Sequence, residues 1–172
     1  MIEIAPFDRE PTRLRQAFGH FPSGVVAVAA MDGTEPLGMA VTSFTPVSLA
    51  PPLVSLCAQL SSRTWPRLRS RDRLGLSVLA QGHDEVALSL AAKEGDRFAA
   101  VDWEATPQGG VLVHGASVWL QCRLHEEITA GDHLLVLLEV VGLETRAGEA
   151  PLVFHGSRFR SLAVADGKEL RL

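Results

Sequence analysis

The side chains that could do chemistry in this sequence fall in two hydroxyl-rich stretches and at one histidine. The first stretch, GMAVTSFTPVS from position 38, is a strand-like run that ends in Thr42, Ser43, Thr45 and Ser48. The second, Ser61-Ser62-Arg63-Thr64, is a turn that opens a short helical pattern. An arginine among hydroxyls at a helix start suits an anion such as a phosphate. Backbone N–H groups, hydroxyl donors and a guanidinium fork all favour negative charge. The same residues also have an ordinary use: Thr42, Ser43 and Thr45 are good strand formers, and Ser61 and Ser62 cap helices well. Spacing alone favours the ordinary use for either stretch, and their position one strand apart brings a shared anion site level with it. His133, between a Gly-Asp turn and an apolar run, reads by position alone as a structural histidine.

Several other chemistries lack their motifs. No GxGxxG follows a strand and no GxxxxGK[ST] occurs, so neither of the common nucleotide-phosphate loops is present. No His and Cys residues have zinc-ligand spacing, and no GxSxG elbow presents a nucleophile. No metal site is expected. Chemistry in this chain would belong to a bound cofactor rather than to an activated side chain.

The elements that must position these residues are mostly strands. Patterning predicts strands over 25–31, 37–45, 53–58, 74–79, 116–128, 133–146 and 152–162, with a hairpin turn at Asp32-Gly33 and a break at Pro51-Pro52. Short helices are expected over 11–21, 63–69 and 83–92, and a polar loop around 106–110. Many strands with few helices exclude a regular βαβ sheet and a helix bundle, and closure into an antiparallel barrel is the economical way to remove edges.

The bulk composition agrees with one folded domain. Of 172 residues, 47% are hydrophobic and 21% charged, which excludes general disorder. A net charge of -4 offers no basic face for a phosphate backbone, so nucleic-acid binding is disfavoured. Cys57 and Cys122 sit in apolar runs and read as free thiols. The N-terminus lacks an apolar signal segment, and no run of 18 apolar residues could cross a bilayer, so a soluble cytoplasmic protein is expected.

Taken in order, FPSGVV at 21, GMAVTSFTPVSLAPPLV at 38, SSRT at 61, Lys93 with Asp96-Arg97-Phe98, WLQC at 119, GDH at 131 and PLVFH at 151 resemble the flavin reductase-like family. These are the small reductases that serve two-component flavin-dependent monooxygenases. The resemblance runs from about residue 12 to 162 and implies a single domain across 1–172. It implies a split, Greek-key β-barrel that forms a homodimer, binds FMN or FAD near the subunit interface and oxidises NADH or NADPH. It further implies a partner monooxygenase that receives the reduced flavin, and no membrane or nucleic-acid partner.

By the same resemblance, Met39, Ala40, Val41, Thr42, Ser43 and Thr45 should lie along the flavin ring and ribityl chain, with Ser55, Cys57 and Ala58 lining the same groove. Ser62, Arg63 and Thr64 should form the phosphate end, with Lys93 and Arg97 near the phosphate or outer flavin. Phe154 and Arg158 should border the site, and His133 should stand beside the nicotinamide as the catalytic residue. The alternative is a flavin-binding protein of the same fold without turnover. Departures from the family pattern are Ser23-Gly24 in place of Thr-Gly, an alanine-rich stretch over 27–31, and the absence of tyrosine.

Overall fold

The structure is a computed structural model describing residues 1–4, 6–7 and 10–162. The end of the expected domain, 163–172, lies outside the described residues. Three helices are described: α1 (Pro11–Gly19), α2 (Trp65–Leu68) and α3 (Asp84–Ala91). Twelve strands accompany them: β1 (Ser23–Gly24), β2 (Val26–Asp32), β3 (Glu35–Val41), β4 (Thr45–Leu49), β5 (Pro52–Gln59), β6 (Leu74–Val78), β7 (Trp103–Ala105), β8 (Val111–Val113), β9 (Val118–Ala130), β10 (His133–Thr145), β11 (Val153–His155) and β12 (Arg158–Arg160).

Seven strands form an antiparallel sheet in the order β3-β2-β6-β9-β10-β5-β4. Its two edges, β3 and β4, are joined by residues 42–44 alone. A connection of that length spans at most about 14 Å, whereas seven flat strands would be about 29 Å across. The sheet must therefore curl until its edges are neighbours. Ser43 marks the approach, its Oγ accepting a hydrogen bond from Cys57 N at 2.8 Å.

β2 shows why the alanine-rich stretch belongs at the centre. Its side chains alternate between two buried clusters: Val26, Val28 and Ala30 in one, Ala27 and Ala29 in the other. The small second face leaves room for α3, through Ala87 and Leu90, and for Phe98. The same closeness explains Gly38 on β3. A Cβ there would lie 2.8 Å from both Ala29 Cβ and Phe98 Cζ, nearer than side chains can sit.

Three expectations differ from the structure. The strand expected over 37–45 stops at Val41, because the chain there leaves one sheet edge for the other. The loop expected around 106–110 is present, but the short strands β7 and β8 that it joins into a two-stranded sheet lie outside the expected strands. The single strand expected over 152–162 is the hairpin β11–β12, turned at Gly156 and Ser157, whose φ angles are 58° and 59°. Pro51-Pro52 occupies the β4–β5 turn, with a cis Ala50–Pro51 peptide.

Candidate functional site

The curled sheet leaves a cleft of about 950 Å³ along β3. That strand pairs only with β2, so its outer side is a sheet edge with no strand partner. Opposite it stand the 61–64 turn with Arg67, the end of α3, and the segment 93–98; Cys57, Ala58, Gln59 and His133 complete the lining.

The 61–64 turn is fixed from below. Trp65 and Leu68 of α2 are fully buried, and the Trp65 indole donates to Glu127 Oε1 at 2.6 Å. Arg69 pairs with the same carboxylate. Within the turn, Ser62 Oγ accepts from Trp65 N at 3.1 Å. Thr64 Oγ1 accepts from Arg97 Nη1 at 2.9 Å, and that same nitrogen donates to Gly38 O at 2.9 Å. Each hydroxyl oxygen thus accepts within the protein, which leaves its O–H to donate into the cleft. Arg63, exposed, adds a cation at the same place. α2 is one turn long, so the anion character comes from hydroxyls and guanidinium rather than from a helix dipole.

His133 begins β10 after a two-residue turn in which Gly131 takes φ 64°, a conformation glycine adopts freely. Its Nδ1 lies 2.6 Å from Asp132 Oδ1. A carboxylate only accepts, so Nδ1 carries the proton and Nε2 is free for a ligand. The His133 hydrogen bond holds the Asp132 carboxyl below its ordinary range, with further help from the His133 charge and from Arg15.

Of the residues singled out in the sequence, Met39, Ala40, Val41, Thr42, Ser43, Cys57, Ala58, Ser62, Arg63, Thr64, Lys93, Arg97 and His133 line this cleft. Thr45, Ser55, Phe154 and Arg158 do not. Ser55 is buried against β4, opposite Thr45, whose carbonyl its Oγ reaches at 3.5 Å. Phe154 and Arg158 belong to the separate sheet β1-β11-β12, where Phe154 packs edge-on against Phe159 with centroids 5.6 Å apart. Sequence reasoning missed Pro36, Leu37, Gln59, Leu90 and Phe98 as lining. These are apolar or plain residues whose role comes only from the cleft passing over them.

The profile of the flavin reductase like domain matches residues 18–163, and the chain belongs to that family. A flavin reductase from Pseudomonas putida is 34% identical over 162 residues, covering 94% of this chain and 95% of that one. The stachydrine N-demethylase reductase subunit of Rhizobium meliloti is 34% identical over 137 residues, 79% of this chain. The chain spans 60% of that subunit's length and 44% of another Rhizobium meliloti relative. Among solved structures, the NADH:FAD oxidoreductase of Streptomyces globisporus, in complex with NAD and FAD fragments, superposes with a TM-score of 0.87 at 36% identity. That match covers 97% of this chain and all of the other. Among the described residues no helix is long and apolar enough to cross a membrane.

Proposed function

We propose that the chain is a single-domain NAD(P)H:flavin oxidoreductase that supplies reduced FMN or FAD to a separate monooxygenase. The observation that carries this reading is the joining of three separate sequence segments in one cleft: the Thr42-Ser43 strand exit, the Ser62-Arg63-Thr64 turn and His133. The cleft fits a flavin. Its volume is within the usual range for a small-molecule site, it runs along the strand edge of β3, and it has hydroxyls and a cation at one place for a phosphate. Bound flavin would supply the acceptor, N5, for a hydride from nicotinamide C4.

The protein's part is to hold and orient. Met39, Ala40 and Val41 present a strand edge to the ring, while Thr42 and Ser43 offer hydroxyls beside it. The O–H groups of Ser62 and Thr64 and the Arg63 guanidinium take the phosphate, with Lys93 near the same anion. Arg97 serves by bracing Gly38 against Thr64. His133 bounds the nicotinamide position, its ring fixed by Asp132. Stacking two rings in near-attack geometry is the main catalytic contribution, and no general base is required for hydride transfer.

The curled sheet is, in this reading, a split barrel, and two copies form a homodimer in the cytoplasm. Phe154 and Arg158 would border a cleft only from a second copy. The relatives' names support the reading, among them an NADH-dependent FAD reductase of Streptomyces globisporus and the reductase subunit of a flavin-dependent monooxygenase from Rhodococcus jostii. The test is oxidation of NADH and of NADPH with FMN, FAD and riboflavin supplied in turn. Flavin-dependent oxidation with at least one pair is expected, and none with any pair overturns the reading.

A further inference from the structure

Arg67 lines the cleft four residues beyond Arg63 in the chain. As a lining residue it could add a second guanidinium to an anion at Ser62 and Arg63, yet the Nε–Nη2 edge of its guanidinium is already held. Its Nε and Nη2 both donate to Oδ2 of Asp32, the Nε at 2.8 Å. Arg71 holds the other oxygen, Oδ1, at 2.7 Å. Asp32 lies outside the cleft lining, at the end of β2 opposite Glu35.

We propose that Asp32 sets how tightly the cleft holds a phosphate. By occupying the fork of Arg67, it keeps that guanidinium off the anion at Ser62 and Arg63, so that flavin exchanges as a substrate instead of remaining bound. This rests on the flavin reading above and adds to it the residue that governs release.

Three observations carry the argument. First, of the four arginines that follow Arg63 in this segment, three are tied to carboxylates, Arg67 and Arg71 to Asp32 and Arg69 to Glu127, while Arg73 donates to the backbone carbonyl of Asp72. Second, the other cleft arginine, Arg97, donates to neutral acceptors, Gly38 O and Thr64 Oγ1, so its charge is not cancelled. The pairing is therefore selective within the one cleft. Third, the lock persists across working conditions. The Arg67 hydrogen bond keeps the Asp32 carboxyl below its ordinary range; burial opposes it, and the Arg67 and Arg71 charges add smaller effects in the lowering direction. A reductase that passes its flavin to another protein must release it, and release of product often limits turnover. A second guanidinium on the phosphate would slow that step.

The test compares FMN with riboflavin, which has the same ring and no phosphate, by fluorescence titration of the full chain. Asp32→Asn keeps the side-chain shape and removes the charge. It should tighten FMN roughly fivefold, as an exposed charged contact does, and leave riboflavin unchanged. Asp32→Ser should act in the same direction, which guards against a folding defect peculiar to the amide. The double variant Asp32→Asn/Arg67→Gln should return the FMN-to-riboflavin ratio to that of the parent. An unchanged ratio in both Asp32 variants, equal tightening of both ligands, or tightening that survives loss of Arg67 overturns the proposal. If the parent chain itself binds the two ligands equally, the phosphate assignment falls and this proposal with it. Turnover of NADH with riboflavin then shows separately whether the ring chemistry stands.

Discussion

Arg97 and His133 face the same cleft, but they are held in different ways. Arg97 joins β3 to the 61–64 turn through two hydrogen bonds of 2.9 Å, over a floor made by buried Trp65 and its partner Glu127. His133 relies on a single contact with Asp132, whose side chain is 95% exposed. On the proposed reading, the end whose ordering is settled during folding would serve affinity, and the more lightly held end would serve rate. Changes at the α2 end should therefore act on flavin binding, and changes at the β9–β10 turn on the nicotinamide step.

The largest effect expected is at Arg97. Removing a charged donor that satisfies Gly38 O and Thr64 Oγ1 costs about 1.5–3 kcal/mol, so Arg97→Ala should weaken flavin binding more than tenfold. Turnover at saturating flavin should stay within about twofold of the parent. Fluorescence titration beside steady-state rates separates the two, and a fall in rate without a fall in affinity would break the comparison. At the opposite end, His133→Ala should lower kcat/KM for NADH about tenfold, near 1.4 kcal/mol, with flavin affinity unchanged. An unchanged rate and KM for NADH would remove His133 from the mechanism.

Below these comes the floor itself. Trp65→Phe removes the indole hydrogen bond to Glu127, whose side chain is 10% exposed, and leaves it the ion pair with Arg69. A loss of about 1–2 kcal/mol follows, read as a fall in Tm of roughly 3–6 °C for a chain of this size. The two cysteines should also separate. Burial pushes the Cys122 thiol up to about 12, whereas Cys57 is exposed in the cleft. A thiol reagent should label Cys57 alone in the folded protein, more slowly when FMN is present. Because the folded Cys122 value lies above the ordinary 9.0, its contribution to stability is complete below pH 9 and is lost as pH rises from there toward 12. The smallest effect is expected for Asp132→Asn, about twofold to threefold in KM for NADH, since an exposed pair contributes little. Its depressed carboxyl keeps the His133 contact intact at any pH above the ordinary value of 3.8.

The sequence made the central strands legible because their pattern is strong. β2, β5 and the long pair β9–β10 appear where runs of apolar and β-branched residues place them. The short pair β7–β8 was hidden because three-residue strands carry almost no periodicity, and the close passage of β8 over Gly75 is a tertiary fact. The break after Val41 was hidden for a similar reason: Thr42, Ser43 and Phe44 have strand propensity, and only the meeting of two sheet edges turns them out of the ladder.

For the site, the hydroxyl turn and Arg63 could be read locally, as an anion site needs only neighbours in sequence. The bracing role of Arg97 depends on Gly38, 59 residues away, and the restraint of Arg67 depends on Asp32, 35 residues away. Asp32 was visible only as part of an Asp-Gly turn. No local pattern announces such partners.

The most direct measurement of the central claim is anaerobic rapid mixing of the flavin-loaded protein with NADH and, separately, NADPH, followed by loss of the oxidised flavin absorbance. The account predicts prompt reduction by at least one nucleotide, slowed in His133→Ala but reaching the same end point. Flavin that stays oxidised with both nucleotides, while remaining bound in the cleft, would contradict it.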